Sequence, residues 1–156
     1  MNLETRLRIE DLNARYAQCL DDRDIDAWPA FFSRECLYKI YPRDNAEAGL
    51  PGSILFFDSH EMMRDRVLCV RDVNMYAPHA TRHILSRSIV SAAEGGGYKA
   101  RTNFIVAHSD VEGRSELFAV GEYQDVVVEE EGVLRFREKV VLLDSFTVPS
   151  HLAEPL

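Results

Sequence analysis

Cysteine is scarce in this chain and nowhere paired. Its three thiols, Cys19, Cys36 and Cys69, are far apart and odd in number, which predicts reduced, mostly buried thiols of a cytoplasmic protein rather than disulfides. None has a cysteine partner one or two residues away and no Cys-x-His pair exists, so this chain holds neither a zinc ribbon nor a Cys/His-ligated iron–sulfur cluster. Long apolar runs are missing too, none approaching the roughly 18 residues that a membrane helix needs. The opening Met1-Asn2-Leu3-Glu4-Thr5-Arg6 is polar and passes straight into a helical pattern, so no signal peptide is expected. There is no basic excess: 26 acidic against 18 basic side chains give a net charge of −8, which argues against nucleic acid or an anionic membrane as partner. The densest acidic run, Glu129-Glu130-Glu131, reads as a solvated turn. No phosphate-binding glycine loop, dinucleotide fingerprint or Gly-x-Ser-x-Gly elbow occurs. Repeats, linkers and low-complexity segments are absent as well. With 156 residues, 46% apolar and 28% charged, residues 1–156 read as one globular domain.

What is present is a run of strands from Thr81 to Phe146. Four are predicted: Ile84–Val90, Thr102–Ala107, Leu117–Val128 and Val133–Phe146. They are separated by Gly95-Gly96-Gly97, by Asp110–Gly113 and by Glu129-Glu130-Glu131-Gly132, and β-branched and aromatic residues between such breaks are the signature of hairpins. In the third strand both faces are partly apolar, so the sheet must be covered. Before the strands, Ile9, Leu12, Tyr16, Cys19 and Leu20 give a helical stripe over about Leu3 to Leu20. Asp24 is placed to cap a short second helix carrying Ile25, Trp28, Phe31 and Phe32, which Pro29 makes brief or distorted. Cys36–Tyr41 is a strand stopped by Pro42, and Arg43–Phe57 a long connection. Asp58 and Glu61 have capping-box spacing for a third helix over about Ser59 to Asp72, ended by Tyr76-Ala77-Pro78. The tail, Thr147–Leu156, reads as irregular with an apolar end that packs. The order predicts an α+β fold, helices on one side of a curved, mostly antiparallel sheet, forming a cone with an interior hollow.

The search for chemistry yields little. His79 and His83 are four apart but sit where a loop enters a strand, so they need not converge on one ion. His60, His108 and His151 read as surface or strand-end residues. An acid–base site in the cone could draw on Tyr16, Tyr38, His83, Asp125 and Asp144. Each also has a simpler role, Tyr16 in the core stripe, Asp125 and Asp144 as strand-edge or paired acids. Arg82, Arg87, Arg101, Arg135, Arg137 and Lys139 place positive charge on the sheet, either as a solvated face or as a surface docked on an acidic partner.

Over nearly its whole length the chain resembles the small (β) subunits of aromatic-ring-hydroxylating dioxygenases, the Rieske non-haem iron oxygenases. The likeness lies in Tyr16-Ala-Gln-Cys-Leu-Asp-Asp-Arg-Asp-Ile-Asp-Ala-Trp28-Pro-Ala-Phe31-Phe32, in Arg82-His83-Ile84-Leu85, in Glu122-Tyr123-Gln124-Asp125 and in Arg137–Ser145. It is nearest to the terephthalate, salicylate and halobenzoate type. Arg87 departs from the family, many of whose members carry Asn shortly after the Arg-His pair. The resemblance implies the cone-shaped NTF2-like (cystatin-like) fold, with three N-terminal helices on the sheet. It implies a non-catalytic structural subunit of an oxidoreductase acting on an aromatic carboxylate. No cofactor is expected in this chain; the Rieske 2Fe–2S cluster and the mononuclear Fe(II) belong to a catalytic α subunit. The implied assembly is an α3β3 hexamer with β–β trimer contacts, supplied with electrons by a reductase or ferredoxin. Arg82, His83, Arg87 and Arg137 are the candidate subunit-interface residues. The alternative is a free-standing cone-fold isomerase or dehydratase of the SnoaL, ketosteroid isomerase or scytalone dehydratase kind, using an acid–base pair in the cone.

Overall fold

The computed structural model describes residues 2–73, 78–144 and 154–156. The first helix, α1, spans Leu3–Asp21 and is capped by Asn2, whose side chain accepts from the Thr5 amide at 2.8 Å. Its buried stripe is Ile9, Leu12, Asn13, Tyr16, Ala17, Cys19 and Leu20, the i, i+3, i+4 set that one helix face presents to a core. The proline-bearing segment Ile25–Phe31 tightens into a 3-10 helix that buries Trp28 and Pro29. Strand β1, Phe32–Pro42, begins four residues before the expected Cys36. Phe32 therefore belongs to the sheet and not to the helix.

The expected connection after Pro42 holds two short elements, helix α2 at Arg43–Glu47 and strand β2 at Leu55–Phe57. Both are too short for a periodic pattern to reveal. Helix α3, His60–Leu68, is capped by Ser59, which accepts from the Met62 amide at 3.3 Å; the cap is one residue later than the Asp58–Glu61 spacing suggests. A π-helical turn, Cys69–Val73, follows. The predicted stop at Tyr76-Ala77 lies outside the described residues.

The predicted strand Ile84–Val90 is in fact two, β3 at His79–Leu85 and β4 at Ile89–Ala92. Ser86 and Ser88 make the break. The Ser86 hydroxyl takes the Asn103 amide at 3.0 Å while the Ser86 amide still donates to the Asn103 carbonyl at 2.9 Å, and the Ser88 hydroxyl bonds Thr102 Oγ1 at 2.7 Å, so side chains share the pairing there with the backbone. Strand β5 is Tyr98–Asp110, β6 is Ser115–Glu130 and β7 is Val133–Leu143. β5 and β6 are longer than the predicted runs, whereas β7 starts at the predicted Val133 and ends at Leu143, before Asp144; Ser145 and Phe146 lie outside the described residues, as does Thr147–Ala153 of the tail. At the β4–β5 turn Gly97 has φ +84°, and a Cβ there would meet the Val127 carbonyl oxygen at 2.4 Å, so only glycine fits. Glu131 and Gly132, with φ 53° and 80°, form the two-residue β6–β7 turn.

The sheet runs β2-β1-β7-β6-β5-β3, with β4 continuing beside β5. Its pairs are antiparallel except β1–β7, as the predicted mostly antiparallel α+β fold requires. Helices α1 and α3 lie on one face, α1 against β3 and β7 and α3 against β1 and β2, while the short α2 sits beside β1 and β7 over Lys39, Tyr41 and Val140. One core fills the space between, built on Tyr16, Trp28, Phe32, Tyr38, Phe104, Tyr123 and Phe136 with the leucines and isoleucines around them. No helix among the described residues is long and apolar enough to cross a membrane.

Candidate functional site

The inside of the cone holds the unusual chemistry. Lys139 lies there, fully buried, although alternation along β7 places it on the outer face with Arg135 and Arg137. The reason is a bulge. Phe136 pairs with Val127 and Glu138 with Val126, leaving Arg137 unopposed. One extra residue reverses the alternation. Leu134 and Phe136 point inward before it, and Lys139, Val141 and Leu143 after it.

Lys139 Nζ is 3.0 and 3.1 Å from the two carboxylate oxygens of Asp125 and donates to Asn13 Oδ1 at 3.1 Å. The rings of Tyr123, Phe136 and Tyr16 close round it at 4.0, 4.1 and 4.5 Å from their centroids. Burial drives the Asp125 carboxyl up and the Lys139 ammonium down, and their mutual attraction opposes both shifts. Three π faces directed at the ammonium favour its charged form, so the geometry is that of a buried ion pair.

A second polar cluster stands beside it. The Trp28 indole donates to Tyr16 Oη at 3.3 Å, and Tyr16 donates to the Leu156 backbone oxygen at 2.9 Å. Tyr38 donates to the same oxygen at 3.2 Å and accepts the Leu156 amide at 2.9 Å. Leu156 is itself buried. Burial pushes the Tyr16 and Tyr38 hydroxyls well above the usual phenol range, so both remain donors. The apolar end of the tail thus packs in the cone.

The third cluster joins helix to sheet. Asp21 accepts the His83 backbone amide at 3.0 and 3.1 Å and contacts His83 Nδ1 at 2.6 Å. Both side chains are buried, while Arg82 stays 64% exposed with Nη1 3.5 Å from Asp21. His83 therefore faces the interior, and Arg82 presents the outer surface.

Of the residues offered for acid–base work, Tyr16, Tyr38 and Asp125 meet in the cone and His83 lies against α1. Asp144 does not join them; it pairs with Arg43 at 2.5 Å at the surface. His79 and His83 share a face of β3 but stand about 13 Å apart along it, four residues at the strand's rise, too far for one ion. His79 packs against His108, whose ring stacks on Phe118. His60 is half-buried, its Nε2 2.8 Å from the Ser33 carbonyl. His151 is outside the described residues. No group of three His, Cys, Asp or Glu among the described residues could hold a metal, so they do not fit an iron centre. Burial also raises both buried thiols, Cys19 to about 11 and Cys36 less, which makes neither a poised nucleophile.

On the outer face, Ile84 sits directly opposite Ile105, and Ile89 opposite Arg101. Ile84, Ile89, Ile105 and Leu117 are all exposed. Arg82 and Arg87 border them, Arg87 81% exposed and 3.8 Å from Glu10. Arg101 is held by Glu122 at 2.6 Å, and Arg135 donates to the Ala30 carbonyl. Lys139, Asp21, Asn13 and Leu156 are among the site members that reading along the sequence did not place there. Only the apolar end of the tail left a trace.

A polar-cored cone of helices on a curved mixed sheet is the NTF2-like architecture. The beta subunit of a dioxygenase assigned to aromatic ring hydroxylation in Novosphingobium aromaticivorans DSM 12444 superposes on it with a TM-score of 0.88. That pair is 30% identical, covering 97% of this chain and 96% of the other. The anthranilate 1,2-dioxygenase small subunit of Burkholderia cepacia is 34% identical over 99% of this chain and 96% of its own length. Terephthalate 1,2-dioxygenase subunit beta 1 of a Comamonas species is likewise 34% identical, over 96% and 97%. The family model for the ring-hydroxylating beta subunit matches residues 15–150. The chain belongs to the ring-hydroxylating beta-subunit family.

Proposed function

We propose that this chain is the non-catalytic structural subunit of a cytoplasmic dioxygenase acting on an aromatic carboxylate. Residues 1–156 act as one domain, and the chain docks on an iron-bearing α subunit in an α3β3 assembly fed by a reductase or ferredoxin. Relatives named for anthranilate and terephthalate support the substrate class. The Rieske cluster and mononuclear iron reside on the α subunit in this reading, and this chain takes no step in the oxygen chemistry.

The observation that carries it is the outer face of β3–β6. Paired, exposed Ile84 and Ile105 with Ile89 and Leu117, edged by Arg82 and Arg87, combine apolar area with arginine. That composition suits an interface better than a free surface. Arg137, half-buried on the β7 bulge, belongs to the contact region. His83 serves it from behind by fixing β3. A stable contact of this kind buries on the order of 1,000 Å² or more.

The test is isolation of the protein from its own cells. The expected product is a coloured, iron-containing complex many times the 17.8 kDa of this chain, with a second, larger chain. The Arg82→Glu, Arg87→Glu double variant should lose that chain while keeping its fold. A colourless oligomer of this chain alone would overturn the reading.

A further inference from the structure

The outer face of the sheet changes character towards the β2 margin, away from the exposed isoleucines. Tyr38 and Ile40 of β1 are buried in the cone, so alternation turns Lys39 and Tyr41 outward. Register places Val140 beside Lys39 and Leu142 beside Tyr41, with Gln124 on the far side of Val140. Over them the chain folds back as α2 and the loop after it, roofing a cleft of about 640 Å³. The roof is tied down at three points. Arg43 is held by Asp144 at 2.5 Å, the Tyr41 hydroxyl donates to the Leu50 carbonyl, and the Ile54 amide donates to the Ile40 carbonyl at 2.8 Å. Gly49, at φ +64°, makes the turn that ends α2. Most charges round the cleft are already engaged, Arg43 by Asp144, and Arg101 and the Gln124 amide by Glu122. Lys39 is the exception. It is half-buried, its Nζ lies 6.0 Å from the centre of the Tyr41 ring, and among the described residues it meets no carboxylate. Glu47, the one acid of the lining, acts electrostatically on Arg43.

We propose that this cleft binds a small monocarboxylate with a flat apolar body, its carboxylate on Lys39 and its body on Val140 and Leu142 under the α2 roof. A half-buried ammonium without a partner gains a charge-assisted hydrogen bond from such a ligand. The valine and leucine floor, roofed and partly dry, favours an attached ring in proportion to the apolar area it covers. A concave site with an apolar floor and one placed polar group is the general form of a small-molecule site. Lys39 offers one positive charge and Glu47 stands against a second negative one, so a carboxylate suits the cleft better than a doubly charged phosphate. The cleft is also distinct from the isoleucine and arginine patch, the engaged groups Arg101, Glu122 and Gln124 lying between them. Only the biological role rests on the subunit reading: if that reading holds, such carboxylates are what the assembly consumes, and the site would fill as they accumulate.

Amide-resolved NMR of the isotope-labelled full chain tests this. Benzoate is titrated, with acetate (charge without ring) and benzamide (ring without charge) as controls. Benzoate should shift the Gly49, Val140 and Leu142 amides and the Gln124 side-chain amide saturably in the millimolar range, while the indole of Trp28, inside the cone, stays put. Acetate and benzamide should each need at least about tenfold higher concentration. Lys39→Met keeps the apolar stem and removes the charge; it should weaken benzoate by at least about tenfold, roughly one charge-assisted hydrogen bond. Val140→Glu leaves Lys39 in place but sets a carboxylate beside it across the β1–β7 pair, and should weaken benzoate as much. Benzoate that shifts none of these amides overturns the proposal. So does benzamide acting as well as benzoate, or a folded variant that binds benzoate as wild type does. Shifts confined to the isoleucine and arginine patch would place the ligand elsewhere and overturn it too. Every readout uses this chain alone, so the subunit reading, decided by isolating the complex, can stand or fall separately.

Discussion

Replacing Lys139 by methionine tests the reading of the cone most directly. Methionine nearly conserves the volume and flexibility of the side chain, so packing changes little. The Asp125 carboxylate, 3% exposed, then loses both of its 3.0–3.1 Å contacts to the ammonium. Removing one partner of a buried pair costs about 3–5 kcal/mol, because the other charge stays behind uncompensated. For a chain of this size each kcal/mol moves Tm by about 2–4 °C, so the melting temperature should fall by about 6–20 °C. The pH dependence has a defined sign. Burial already raises the Asp125 carboxyl in wild type, and removing the cation raises it further. A raised acid penalises the fold only where it is ionised, so the variant's deficit should be full near neutrality. It should shrink as pH falls towards the unfolded carboxyl value of about 4. The Lys139→Met, Asp125→Leu double variant replaces the pair with apolar groups and should recover most of the loss. Thermal melts followed by circular dichroism and Trp28 emission read both variants. A single-variant cost under about 1 kcal/mol, or a double variant as unstable as the single, would refute the buried-pair account.

Two further outcomes concern Gly121 and Glu122. A Cβ at Gly121 would lie 2.0 Å from the Leu142 carbonyl oxygen and 3.0 Å from Phe104, so Gly121→Ala should lose about 1–3 kcal/mol in urea titration by overpacking. For Glu122, burial pushes the carboxyl up, but Arg101, Gln124 and Arg43 together hold it below its ordinary value. A lowered carboxyl stabilises the fold above its unfolded value, about 4.3, and that stability is lost as pH falls through the folded value. Glu122→Gln should therefore flatten the acid side of a stability–pH curve, and parallel wild-type and variant curves would contradict this.

The parts of the fold legible in the sequence are those set by neighbours. The α1 stripe and the Glu131-Gly132 turn depend on residues within one or two turns of each other, and each stands where its pattern places it. Lys139 was illegible because alternation assigns faces only while register holds, and the Arg137 bulge breaks it with no glycine or proline to mark the place. The interruption at Ser86–Ser88 hid inside a run of apolar and β-branched residues, since hydroxyl bonding to Thr102 and Asn103 depends on a strand not yet placed. The polar site was hidden by distance along the chain. Asp21 meets His83 across 62 residues, and Tyr16 meets Leu156 across 140. Such partners are chosen by topology, and composition carries no mark of them.

The Asp21 carboxylate also has a bearing on solubility. It takes the His83 amide at β3, the strand that ends the sheet order among the described residues. A bare margin of that kind would otherwise accept a strand from another molecule and seed aggregates. Here a helix end presses an anion against it, and the opposite margin, β2, is only three residues long. Both margins of the sheet are thus poor templates for strand addition, one covered by an anion and the other cut short.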